Sequence, residues 1–113
     1  MLDKITAILE EFQARDVKFL TLPESAIVEH MVVASGTSGR HLWTLCEKLC
    51  NAMRAEGIKT RTEGDASSDW IVLDLGEVVV HFLTPEKRSL YDLEALWEYR
   101  ADDASTTHVE GGL

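Results

Sequence analysis

Residues Asp69 to Leu83 read DWIVLDLGEVVVHFL, and the folding of this stretch decides the rest of the chain. Gly76-Glu77 makes a two-residue turn with glycine first, the choice for a type II′ hairpin. Leu75 then faces Val78, and the pairs run back as 74/79, 73/80, 72/81, 71/82 and 70/83. Side chains alternate along a strand, so the pairs sort into two faces. Ile71, Leu73, Leu75, Val78, Val80 and Phe82 form one face, wholly apolar, which must be the core side. Trp70, Val72, Asp74, Val79, His81 and Leu83 form the other. A tryptophan and aliphatics mixed with an aspartate and a histidine suit a protein-binding patch, or a face lying under the N-terminal or closing helix.

Upstream, Leu2, Ile5, Ile8, Leu9 and Phe12 have the spacing of an amphipathic helix over residues 2–14. VKFLTL follows Asp16 as a short strand stopped by Pro23, and VEHMVVAS (Val28 to Ser35) is a strand apolar enough to be covered on both faces. The turn GTSGR (Gly36 to Arg40), with Thr37 or Ser38 as N-cap, opens the longest helix. Its stripe is Leu42, Leu45, Cys46, Leu49, Cys50 and Met53, and Gly57 stops it. IKTRT (58–62) reads as a strand, paired in parallel with Val28–Ser35 across the helical crossover. Pro85, capped by Thr84, opens a closing helix PEKRSLYDLEALW. The order α-β-β-α-β-β-β-α implies an α/β (α+β) fold, a single domain with a mixed sheet flanked by helices. The domain is expected over 1–97, and 98–113 loses all periodicity and reads as a disordered tail.

The 113 residues carry 20 acidic and 11 basic side chains, net −9. That excludes broad nucleic-acid binding through a basic face and argues against anionic membranes. No run reaches the roughly 18 to 20 apolar residues of a membrane span, and the N-terminus is no signal peptide. Cys46 and Cys50 read as small apolar residues of a reduced, cytoplasmic protein. The charge is also placed unevenly. Residues 62–86 hold Glu63, Asp65, Asp69, Asp74, Glu77 and Glu86 with no lysine or arginine, which points to a basic protein partner.

Support for catalysis is thin. The VVASGTSGRH turn can cradle a phosphate, but it lacks the lysine and spacing of a P-loop. A magnesium site on the hairpin would want a second carboxylate where Gly76 stands. The four histidines have no metal-ligand spacing. The alternative function is therefore a nucleotide-binding or nucleotidyltransferase-like enzyme using Gly36–Arg40 and Asp74, with no metal or cofactor site identified.

Three segments, in this order and spacing, resemble the ribosomal silencing factors, bacterial proteins related to plant Iojap. They are ASGTSGRH (Ala34 to His41), EG followed by DWIVLDLGEVVVHFL (Glu63 to Leu83), and RSLYDLEALW (Arg88 to Trp97), within a match covering Ile5 to Trp97. The resemblance implies a mixed five-stranded sheet of nucleotidyltransferase-like outline without that activity. It implies a non-enzymatic translation repressor that binds large-subunit ribosomal protein L-fourteen and blocks subunit joining in starvation or stationary phase. Trp70, Glu77 to His81 (glutamate where aspartate is usual) and Tyr91 match positions expected on the partner surface. Glu29 and His30 stand where the family often has an aspartate-tyrosine pair. The expected partner-binding set is Asp69, Trp70, Val72, Asp74, His81, Leu83, Glu86 and Tyr91. The same mixed face could also pair with itself as a homodimer when free.

Overall fold

The computed structural model describes residues 1–23 and 28–91, with side chains to residue 89. Eight elements follow one another: α1 (Leu2–Glu11), β1 (Arg15–Thr21), β2 (His30–Ser35), α2 (Gly39–Ala55), β3 (Arg61–Glu63), β4 (Trp70–Asp74), β5 (Val78–Leu83) and α3 (Pro85–Tyr91). The five strands form one sheet in the order β1-β2-β5-β4-β3. Only β2 and β5 run parallel; the other neighbours are antiparallel.

The hairpin has the register read from its turn, from Trp70↔Leu83 to Asp74↔Val79. Gly76 carries a positive φ of +90° and Glu77 does not, as a type II′ turn requires. The Leu75 amide donates to the Val78 carbonyl at 2.8 Å, and the Gly76 amide to Asp74 Oδ1 at 2.8 Å. The aspartate therefore closes the turn as well as facing outward.

One expectation is corrected. β2 pairs in parallel with β5, and β3 pairs with β4 instead. The crossover through α2 does return β3 in the direction of β2, but two strands lie between them. The reason is burial. β2 and β5 are apolar enough to fill the middle of a sheet, whereas all three residues of β3 are exposed and can only form an edge. β3 also begins at Arg61, three residues later than the pattern suggested.

α1 and α2 cover one face. Ile5 and Leu9, the six-residue stripe of α2, Val32 and Ala34 of β2, and Ile71, Leu73, Leu75, Val78, Val80 and Phe82 form the main core. Ser38 is the N-cap of α2, its hydroxyl accepting from the His41 amide at 3.2 Å. His41 then joins two elements. Its Nδ1 accepts from the Thr37 amide at 2.9 Å, so Nε2 carries the proton and donates to the Phe12 carbonyl at 3.0 Å.

The N-terminus of α2 also holds the loop that leads to Trp70. Asp65 Oδ1 accepts from the Ser67 amide at 2.9 Å and its hydroxyl at 2.6 Å, which lowers the pKa of this exposed carboxyl. A Cβ on Gly39 would stand 2.8 Å from the Ala66 carbonyl oxygen and 2.9 Å from that of Ser68. Thr84 caps α3, its hydroxyl accepting from the Lys87 amide at 3.4 Å. The closing helix beyond Tyr91, the Tyr91 side chain and the 98–113 tail lie outside the described residues. No helix among the described residues is long and apolar enough to cross a membrane.

Because backbone oxygens cannot move aside as a side chain can, Gly39→Ala should lower stability by about 1–3 kcal/mol. The check is a urea midpoint, with Ala52→Gly on the same helix giving the cost of a glycine exchange without a clash.

Candidate functional site

The mixed face of the sheet is laid out in cross-strand rows. One row runs Leu20, Met31, Val79, Asp74, Arg61; the next runs Lys18, Val33, His81, Val72, Glu63; the third holds Ser35, Leu83 and Trp70. Leu20, Leu22, Met31, Val33 and Leu83 make a second, smaller core here, with Val28 and Trp70 packed against it. α1 lies on the opposite face, so the N-terminal helix does not cover these rows. α3 packs against β5, and Arg88 Nη1 donates to Ser35 Oγ at 2.9 Å. The closing helix thus sits at the third row.

Within this frame the expected residues separate. Trp70, Val72, Asp74 and His81 are half-buried on one face, while Asp69 and Glu86 are exposed at its Trp70 end. Leu83 is fully buried at 0% exposure and is not a surface residue. It fills the space beneath Trp70, because Ser35 and Trp70 flank it in its own row. Asp74 stands directly across from Arg61 in the register of β4 and β3. Tyr91 ends α3, and the expectation for its side chain lies outside the described residues.

Trp70 and His81 are coupled. The indole Nε1 donates to His81 Nδ1 at 3.0 Å, with ring centroids 5.9 Å apart and planes tilted by 50°. They are diagonal neighbours, since Trp70 pairs with Leu83 and His81 with Val72, a span that only large side chains bridge. Burial pushes the His81 pKa down to about 4. A neutral ring is what the contact needs, because a protonated Nδ1 could not accept.

The nucleotide-site alternative is not assembled. Gly36 follows Ser35, in the Trp70 row, whereas Asp74 shares the row of Met31. The two are five residues apart along the strands, on the order of 16 Å. Two of the turn's amides are also engaged, Gly36 with the Leu83 carbonyl and Thr37 with His41 Nδ1. No group of three or more His, Cys, Asp or Glu among the described residues could hold a metal ion. Burial pushes the Cys46 thiol up to about 11, which leaves it unreactive. Glu29 and His30 lie away from Trp70, beside a shallow pocket of about 330 Å³ lined also by Asp3 and Glu77.

The family model described as "Ribosomal silencing factor during starvation" matches residues 1–111. The chain belongs to the ribosomal silencing factor family. It is 35% identical over 101 residues to ribosomal silencing factor RsfS of Zymomonas mobilis, covering 88% of this chain and 76% of that protein. It is 32% identical over 113 residues to mouse "Mitochondrial assembly of ribosomal large subunit protein 1", covering 96% of this chain but 50% of the mouse protein. A crystal structure of a Chromobacterium violaceum protein superposes with a TM-score of 0.79 at 30% identity, covering 87% of each chain. A Bacillus halodurans structure gives 0.76 at 27% identity, over 85% of this chain and 91% of that one. Membership bears out the resemblance read from the three segments, and with it the mixed five-stranded sheet. The family's name gives its members a role in ribosome silencing.

Sequence reading missed Ser35, Arg88, Val33 and Lys18 as neighbours of the site. Lys18, Val33 and Ser35 join it only through the pairing of β1, β2 and β5, and Arg88 through the packing of α3 on β5; the signal for the first three was the alternation of Met31, Val33 and Ser35 along β2.

The His81 pKa carries a stability consequence. The unfolded chain takes up this proton near the ordinary value of 6.5, the folded one only near 4. The contribution is therefore complete above about pH 6.5 and is withdrawn as pH falls toward about 4, by about 3 kcal/mol in all. Urea midpoints at about pH 7.5 and about pH 5 should differ less in His81→Asn, which does not titrate, than in the parent.

Proposed function

We propose that this family member represses translation without catalysis. In this reading it binds the large ribosomal subunit in the cytoplasm through ribosomal protein L-fourteen and sterically blocks joining of the small subunit. The observation that carries the proposal is Trp70, held half-buried on the face opposite α1 and α2, with exposed Asp69 and Glu86 at its end of the sheet. A partly buried aromatic beside carboxylates has the composition of an interface anchor for a basic protein surface. A ribosomal protein offers such a surface, whereas bare rRNA would be repelled by a chain of net −9. The names of the relatives, silencing factors in bacteria and a large-subunit assembly protein in mouse, support the choice of subunit. Blocking needs only occupancy, which agrees with a site built for contact rather than chemistry.

Trp70→Ala should weaken co-sedimentation with purified large subunits by about 2 kcal/mol or more, roughly thirtyfold in Kd, with the fold intact by circular dichroism. Asp69→Lys with Glu86→Lys should weaken it further and flatten its salt dependence. These two acids are chosen over Asp74, whose carboxylate also closes the hairpin turn. Unchanged binding in both variants would remove the proposed face, and binding without inhibition of small-subunit joining would remove the steric mechanism. Heat on titration with ATP and Mg²⁺ would revive the nucleotide alternative.

A further inference from the structure

The Trp70–His81 contact has a consequence for recognition. An indole has one polar hydrogen, on Nε1, and the rest of the side chain is carbon and π cloud. Here that hydrogen is taken up within the protein, by His81 Nδ1 at 3.0 Å. Whatever surface the half-buried Trp70 ring offers a partner is therefore carbon. His81 itself is held across the sheet by its neighbours: Val72 opposite on β4 and Val33 opposite on β2, both on the same face. Those aliphatic walls restrict the imidazole, and through the hydrogen bond they restrict the indole.

Resting on the reading of Trp70 as the interface anchor, we infer that His81 is a positioning residue for partner recognition rather than a contact. By accepting the Trp70 N–H it fixes the ring and removes the site's indole donor, so that the partner meets carbon rather than a polar hydrogen. A partner group that needs a hydrogen-bond donor from this tryptophan, such as a carbonyl or phosphate oxygen, finds none. The site thereby distinguishes a basic protein surface from a nucleic-acid backbone in its uncharged chemistry as well as in its charge.

The variants that test this are His81→Phe and His81→Asn. Phenylalanine keeps the bulk but offers no acceptor. Asparagine places Oδ1 close to where Nδ1 stands and restores one. In the free protein, the Trp70 indole N–H resonance, assigned with Trp70→Phe, should exchange slowly in the parent and in His81→Asn, and faster in His81→Phe. Affinity for purified large subunits should fall about tenfold in His81→Phe, the scale of one lost buried hydrogen bond, and recover to within about threefold in His81→Asn. The inference is overturned if the parent indole proton exchanges at the solvent rate, if His81→Phe binds as the parent does, or if His81→Asn binds as weakly as His81→Phe. Loss of binding in Trp70→Ala with full binding in both His81 variants overturns this inference alone. Unchanged binding in Trp70→Ala overturns the proposed interface and this inference with it.

Discussion

A type II′ turn of two residues sets the register of β4 against β5, and the two faces of the sheet follow from it. Side chains alternate with a period of two, so a slip of one residue would move Ile71, Leu73, Val80 and Phe82 out of the core and Trp70 and His81 into it. The turn is specified chemically. Gly76 alone takes the positive φ, and the Asp74 carboxylate holds the Gly76 amide. α1 and α2 pack on the face this register makes apolar, and the opposite face carries the smaller core around Met31, Val33 and Leu83, with α3 at its Trp70 row.

How much of this the sequence revealed depended on the range of the interactions involved. The hairpin, the stripe of α2 and the caps at Ser38 and Thr84 are local, within about five residues of one another or mirrored about one turn, and each was readable. The neighbour of β2 was not. A helical crossover gives the direction of the returning strand but leaves open how many strands it passes over, and here competition for the buried centre placed β5 between. The site was legible to the same extent. Trp70, Val72 and His81 share a face by parity, but the burial of Leu83 depends on Ser35 and Trp70 beside it in a row that no local pattern announces. The indole–imidazole hydrogen bond is diagonal, and parity places the two rings on one face without saying that they touch.

Net charge, taken whole, does not describe how charge is laid out on the sheet. Arg61 stands opposite Asp74 at one end of the hairpin, and the exposed Asp69 and Glu86 gather at the other, where α3 begins and the loop from Asp65 arrives. The loop is fixed there by Gly39, whose lack of a side chain lets two backbone carbonyls close on the start of α2. A glycine in the turn that looked fit for phosphate thus serves to place the strand that carries the tryptophan.

The central position of β5 bears on how the chain acquires its fold. β4 and β5 meet across a two-residue turn, so their closure has little entropic cost and can be early. The parallel β2–β5 pairing joins residues 48 apart, such as Ser35 and Leu83, and its loop-closure entropy must be met before any of its contacts form. During synthesis β2 emerges long before its partner and has only β1 beside it. Its second edge, MVVA in sequence, stays open until β5 has been made. The strand that completes the centre of the sheet is the last of the five to be translated, so the middle of this protein is finished after its edges.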